Sequence, residues 1–249
     1  MFESTLPFGE ADLMRASAFR RHLDESARSG EADSMASRLS TLSPSLLLDL
    51  MRFEQEGKQG GVVEALAACI RHARMLLLHL QAKERVVPLT VFPVEHLVHC
   101  PMPLVQFLAL PLGELSVIHI EPAQLRPPGD RLRAMIGEPE HYHALAPVLW
   151  ELALRGSRSE LLPEIGGQAA YRISPGLNLR LLELSGSMAE AVARLERDTS
   201  NLHAMARWPG FDRERAMRLL NGLYLQAGLM VSRTHPAATN DDWSSGRTP

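Results

Sequence analysis

A change in residue pattern at Glu84 limits the folds that are open to this chain. Before Glu84, apolar residues recur at helical spacing, and we predict helices over about 12–30 and 62–81 and one that begins at Ser43-Pro44. After it, two runs rich in β-branched and apolar residues are bracketed by prolines, which favours strands joined as a hairpin. These runs are 85–92 and 94–100. The pattern predicts an α+β protein, with N-terminal helices and a small antiparallel sheet.

A proline- and glycine-containing stretch around 123–137 marks a boundary between two regions. Its centre, Pro127-Pro128-Gly129-Asp130, is typical of a turn or loop. Before it we predict a short helix over 104–110 and a strand over 115–121. The polar, Gly- and Ser-containing end of the chain predicts a disordered tail. The predicted parts are a helical and β-sheet domain at 1–125, a helical region at 137–236 and the tail at 237–249.

The second region is predicted to end in a helix-turn-helix followed by a strand. Thr199, Ser200 and Asn201 are candidate N-caps for a short helix, and Asp212 is a suitable N-cap for a longer one. Between them, Trp208-Pro209-Gly210-Phe211 supplies a tight turn, because proline cannot continue a helix and glycine adopts positive φ easily. This is the order of a winged-helix-like module. The predicted elements are a helix opening at Glu138-Pro139, helices over 187–198, 201–208 and 212–227, and a strand over 229–233.

The stretch TSNLHAMARWPGFDRERAMRLLNGLYLQAGLMVSR, residues 199–233, contains the short helix and the longer one that ends before a Gly-Leu pair. Over 186–233 the chain resembles the winged-helix tail of bacterial PATAN-type regulatory domains. The whole chain also resembles bacterial proteins associated with Ras-like GTPases of surface motility. The resemblance implies a non-catalytic regulatory or adaptor protein of the bacterial cytoplasm, with a Ras-like GTPase as its partner.

The charge of the module bears on whether it contacts protein or DNA. Residues 187–236 hold seven arginines and five carboxylates, a net charge of +2, in a chain of net charge −3. A duplex binder needs basic and amide side chains on an exposed helix face and more phosphate-contacting charge than this. We therefore expect protein contacts, with a DNA-binding transcriptional regulator as the alternative. The side chains available for reading DNA are Arg213, Arg215, Arg218, Asn221 and Gln226.

Aromatic residues near the predicted turn favour a protein-interaction site, because apolar surfaces mark partner binding when they are exposed. Arginine adds planar, bidentate contacts at such surfaces. The candidate interaction residues are Trp208, Phe211, Arg215, Arg218 and Tyr224.

The chemical motifs predict no catalytic, cofactor or metal residue. In an extended strand, His96 and Cys100 lie on one face and His99 on the other, so the three do not converge on an ion. His141 and His143 are predicted on a helix, where they point in different directions. The glycine-containing turns lack P-loop and dinucleotide spacing, and no G-x-S-x-G frames a serine. A hydrolase without a recognisable motif is the third function considered.

Cysteine usage and apolar runs favour the cytoplasm. Cys69 and Cys100 form no CxxC motif, which fits a reducing compartment. The N-terminal residues have neither the basic region nor the apolar run of a signal peptide, and no apolar stretch is long enough for a bilayer. We expect a cytoplasmic protein without membrane contact.

Overall fold

The computed structural model describes residues 13–28, residue 45 and residues 61–238. Apart from Ser45, the helix predicted from Ser43-Pro44 lies outside this part, as do residues 239–249 of the predicted tail. The chain divides into two compact units, Met1–Leu145 and Ala146–Pro249. Within the described residues, no helix is both long enough and apolar enough to cross a bilayer.

The first unit is built around a five-stranded antiparallel sheet with the strand order β4-β1-β2-β3-β5. This agrees with the predicted α+β class and the antiparallel sheet. The helices are α1 (Ala16–Arg28), α2 (Val62–Arg71) and α3 (Leu104–Leu108). The strands are β1 (Leu76–Ala82), β2 (Arg85–Phe92), β3 (Leu97–His99), β4 (Ser116–Pro122) and β5 (Tyr142–Ala144).

The helix predicted over 62–81 is wrong in its second half, which forms β1. Ala73, with a φ of 48°, lies between the end of α2 and the strand. In β1, buried and half-buried residues alternate strictly, and Ala82 pairs with Arg85 across the turn into β2. Lys83 occupies that turn with a φ of 56°. A run of leucines fits a buried helix as well as a strand, so the pairing with β2 decides between them.

The predicted hairpin after Glu84 is confirmed in β2 and β3, although β3 is shorter than the run 94–100. The predicted strand over 115–121 is confirmed as β4. One side of the sheet carries α1, whose Ala16 and Phe19 bury against Val86 of β2. Backbone hydrogen bonds join the start of α1 to the β1–β2 turn, where the amide of Ala16 donates to the carbonyl of Glu84 at 2.7 Å.

The helix predicted to open at Glu138-Pro139 begins later, at Leu145. Pro139–His141 form a single 3-10 turn, and Tyr142–Ala144 form β5, which pairs with β3. An aromatic residue in an edge position suits a strand, and the pairing with β3 provides the hydrogen bonds that a helix would have made. His141 and His143 therefore lie in a turn and a strand, and not on the helix that the sequence predicts.

The second unit contains four helices and a three-stranded antiparallel sheet of order β7-β6-β8 among its described residues. The central strand, β6, precedes the helix-turn-helix in the chain, and no described strand follows β8. Pro236–Ala238, at the start of the predicted tail, form a 3-10 turn. The elements are α4 (Leu145–Arg155), β6 (Ala170–Ile173), α5 (Gly186–Arg197), β7 (Ser200–Asn201), α6 (Leu202–Met205), α7 (Arg213–Leu225) and β8 (Leu229–Ser232).

Candidate functional site

The turn between α6 and α7 is formed as its residues predict. The Asn201 Oδ1 atom accepts a hydrogen bond from the amide of Ala204 at 2.8 Å, and Asp212 Oδ1 accepts from the amide of Arg215 at 2.7 Å. Of the three candidate caps of the short helix, the structure uses Asn201, and Asp212 caps the longer helix as predicted. Gly210 has a φ of 72°, and a Cβ there would lie 2.9 Å from the Ser187 side chain of α5. Glycine is needed at this position both for its backbone conformation and for the close approach of α5.

Two aromatic rings and two guanidinium groups are stacked at this turn. The rings of Trp208 and Phe211 meet edge to face, with centroids 6.2 Å apart. The Cζ atom of Arg194, on α5, lies 4.7 Å from the Trp208 ring, and that of Arg215 lies 5.2 Å from the Phe211 ring. We call these four residues the aromatic corner. Trp208 is only 7% exposed, so it serves mainly as a packed wedge.

The arginines of the aromatic corner keep donors available. Arg215 Nη1 donates to the carbonyl of Gly210 at 2.8 Å, and both arginines are largely exposed. Among the described residues, neither of them forms an ion pair with a carboxylate. A guanidinium has five N–H donors, so each can still bind an acidic group while its planar face rests on a ring.

Arg218, another predicted interaction residue, is committed to the interior of the unit. Its Nη1 atom donates to the carbonyls of Leu154 at 3.2 Å and Gly156 at 2.7 Å, at the end of α4. Its Nε atom donates to Glu214 at 2.9 Å, and its side chain is 17% exposed. A cation at the last carbonyls of a helix satisfies groups that have no partner within that helix. Arg218 is thus a capping residue for α4.

Two further residues that the DNA hypothesis would use are also bound internally. Asn221 is 0% exposed; its Nδ2 atom donates to the carbonyl of Glu160 at 2.8 Å, and its Oδ1 atom accepts from the amide of Leu162 at 2.9 Å. Gln226 Nε2 donates to the carbonyl of Ala146 at 2.9 Å. From Ala216 onward, most of α7 is buried. Arg218 and Asn221 of α7, and Gln226 just after it, therefore hold α4 and the loop that follows it, whereas Arg213 and Arg215 are exposed.

Of the predicted interaction residues, the structure brings together Trp208, Phe211 and Arg215. Arg218 is not part of this group, because it caps α4. Tyr224 is half-buried near the end of α7. Sequence reasoning missed Arg194, whose contact with Trp208 depends on how α5 packs against the turn. An arginine on the exposed side of a predicted helix gives no local signal of such a contact.

The histidines of the first unit are arranged differently from their predicted positions. His96 lies in the turn before β3 with a φ of 55°, His99 is in β3, and Cys100 is buried after it. Burial raises the pKa of the Cys100 thiol to about 11, which keeps it protonated at neutral pH. His99 does not approach His96 and Cys100 as a group of ligands, but it meets His141 across the β3–β5 pair.

Comparison of the chain with family models, with curated proteins and with solved structures gives no match.

Proposed function

We propose that this protein is a non-catalytic regulatory or adaptor protein of the bacterial cytoplasm that binds another protein through the aromatic corner. The observation that carries the proposal is the stacking of Arg194 and Arg215 on Trp208 and Phe211 at an exposed turn. Aromatic residues and arginine are the residues that most often dominate binding energy at protein interfaces. Stacking restricts both arginines before a partner arrives, which lowers the entropy that binding would cost.

The order of elements from α5 to β8 supports a winged-helix-like module. A helix, a short strand, two helices around a tight turn and a second strand follow one another, as in a winged helix. The third strand of the sheet is β6, which comes before these elements and not after β8. The described residues thus lack the strand hairpin after the second helix that gives winged helices their wing.

The alternative, a DNA-binding regulator, has less support. Arg218, Asn221 and Gln226 donate to backbone carbonyls within the second unit. That leaves Arg213 and Arg215, in the first turn of α7, as the exposed basic residues of this helix. A recognition helix needs several side chains free to reach base edges and phosphates, so α7 is better suited to a structural role.

The partner that the resemblance implies is a Ras-like GTPase, and site-specific photo-crosslinking in cells tests both the surface and the partner. A photo-reactive amino acid in place of Phe211 should give a discrete adduct, identified by mass spectrometry as a Ras-like GTPase. The same amino acid in place of Leu181, which is 58% exposed in the same unit, is the matched control and should not give it. An adduct that also forms from position 181, or none from 211, would contradict the proposal.

Arginine substitutions sharpen this experiment. Arg194→Ala combined with Arg215→Ala should abolish the adduct from position 211, because it removes both cations from the aromatic corner. Arg180→Ala, an exposed arginine outside the corner, should leave the adduct unchanged. A different protein as the adduct would keep the adaptor function and reject the GTPase as partner.

A further inference from the structure

Helix α1 is attached to the sheet of the first unit by a small apolar contact. Ala16 and Phe19 are buried against Val86 of β2, and Leu23 and Ile118 pack beside them. Most of the other described residues of α1 are exposed. A helix that buries so few side chains opens at a lower free-energy cost than the strands beneath it.

The beginning of α1 is held more firmly than the rest of the helix. There the backbone pairs with the β1–β2 turn, and the amide of Val86 donates to the carbonyl of Met14 at 2.8 Å. Farther along, the Nη2 atom of Arg20 donates to Gln81 Oε1 at 2.6 Å, but this hydrogen bond is exposed to water. Exposed hydrogen bonds contribute little net stability. The helix therefore has a fixed beginning about which the remainder can turn.

Two imidazole groups lie under the buried ring of α1. His79 of β1 and His119 of β4 occupy facing positions in the sheet, and their ring centroids are 5.7 Å apart. The Phe19 ring lies 4.5 Å from the His79 ring and 6.4 Å from the His119 ring. Docking of α1 thus places one apolar ring over two groups that each take up a proton in acid.

The two histidines differ in how they accommodate a proton. The Nε2 atom of His79 is 3.0 Å from a carboxylate oxygen of Glu121, so a charge on His79 gains an ion pair. The Nε2 atom of His119 is buried without a hydrogen-bond partner. A charged imidazole in that position has no acceptor for its second N–H group, which makes it costly.

The surroundings of His119 also favour its neutral form. Burial, and then the charge of His79, lower its pKa, and Glu121 opposes them with a smaller effect. These two are the titratable groups that act on His119 from β1 and β4. The elements packed against the cluster supply Phe19 and Arg20 from α1, with Arg20 engaged by Gln81, and Val86 from β2.

We infer that α1 is a pH-sensitive strap, which is docked on the sheet while His119 is neutral and turns away from it when His119 takes up a proton. Glu121 is already engaged by His79, so the charged imidazole of His119 has to reach water. The part that yields is α1 beyond its fixed beginning, because few side chains hold it. Release exposes Phe19 and the apolar residues beneath it. This device belongs to the first unit and does not depend on the aromatic corner.

The direction of the pH effect follows from the two states of His119. When α1 is released, His119 has its ordinary pKa of 6.5, whereas docking lowers that pKa. Between the two values, the released state binds the extra proton, so docking weakens as the pH falls below about 6.5. At neutral pH both states hold His119 neutral, and α1 stays on the sheet.

Hydrogen exchange of the full chain, read by mass spectrometry at about pH 7.5 and about pH 5.5, tests the strap once rates are corrected for the intrinsic effect of pH. The amides of α1 should exchange several-fold faster at the lower pH. The increase should not exceed about tenfold, which is the most that one group with an ordinary pKa of 6.5 adds at that pH. The amides of β2 are the internal reference and should change less.

Substitutions assign the effect to one imidazole. His119→Gln and His119→Phe take up no proton at that position, so each should lose the faster exchange of α1 in acid. His22→Gln, at an exposed position on α1 itself, is the matched control and should keep it. Phe19→Ala should show fast exchange of α1 already at neutral pH, because it removes the buried ring.

Three results would overturn the inference. One is exchange of α1 in the unmodified chain that does not change with pH. Another is an increase that both His119 variants retain. The third is an increase of equal size in β2, which would mean that the unit opens as a whole and that α1 is not released by itself.

Discussion

In the second unit, the buried side chain of Asn221 uses both of its polar atoms, whereas in the first unit the Nε2 atoms of His119 and His143 are buried without a hydrogen-bond partner. Buried polar groups normally find partners, so each exception calls for an explanation. In the second unit, Arg218 and Asn221 hold α4 and the loop after it, and the exposed Arg194 and Arg215 stack on the rings of the aromatic corner. In the first unit, the buried Nε2 atoms of His119 and His143 remain unsatisfied.

The histidines beside α1 in the first unit include one that is paired, His79, and one with an unsatisfied nitrogen, His119. Phe19 lies with its ring centroid 4.5 Å from that of His79, whose Nε2 atom is 3.0 Å from a carboxylate oxygen of Glu121. The neighbouring His119 has its pKa lowered by burial and then by the charge of His79. His79 is therefore paired, while His119 is kept neutral, and only the latter resembles the unsatisfied imidazole of His143.

The largest expected effect comes from removing the wedge of the aromatic corner. Trp208→Ala should lower the free energy of unfolding by about 3–5 kcal/mol, because a large buried ring is replaced by a cavity. Urea denaturation measures this loss of unfolding free energy. Leu181→Ala, at an exposed position in the same unit, should change stability by less than about 0.5 kcal/mol. If the two variants behave alike, the Trp208 ring does not act as a wedge that stabilises the turn.

A smaller loss is expected at Asn221. Asn221→Ala leaves the amide of Leu162 and the carbonyl of Glu160 without their partner, at a cost of about 2–4 kcal/mol. The matched control is Asn178→Ala, where an exposed side chain accepts a hydrogen bond from the amide of Arg180. Equal unfolding free energies for the two variants would show that the buried hydrogen bonds of Asn221 stabilise the unit no more than an exposed one does.

The smallest expected effect is the pH dependence that His99 contributes to the first unit. Its pKa is about 4 in the folded protein and 6.5 ordinarily, so between these values the unfolded chain binds the extra proton. The free energy of unfolding should therefore fall as pH falls from 6.5 to 4. Denaturation across this range should give a shallower slope of unfolding free energy against pH for His99→Gln than for the unmodified chain. An unchanged slope would show that His99 is not held neutral by its surroundings.

Local signals account for the parts that the sequence predicts well. Asn201, Asp212 and the Trp-Pro-Gly-Phe turn each have a residue type suited to one backbone conformation, and they form the predicted caps and turn. Strand β1 lacks such a signal, because its leucines satisfy the period of a helix and of a strand. Only its partners, β2 and β4, establish it as extended.

Contacts between distant residues account for what sequence reasoning misses. Arg218 reaches carbonyls at the end of α4, and Arg194 reaches Trp208 across the packing of α5 against the turn. His99 meets His141 only through the register of β3 and β5. In each case the side chain gains its role from tertiary structure, which neither composition nor periodicity contains.

The claim that α7 is not a DNA-reading helix can be tested most directly with DNA. Fluorescence anisotropy of a labelled random-sequence duplex should show no binding to the full chain at about 150 mM salt, because Arg218 is bound within the unit and Arg213 and Arg215 alone supply too few phosphate contacts. Binding in the micromolar range that weakens steeply with added salt, and that Arg213→Ala or Arg215→Ala reduces, would contradict the claim. That result would make α7 a DNA-reading helix.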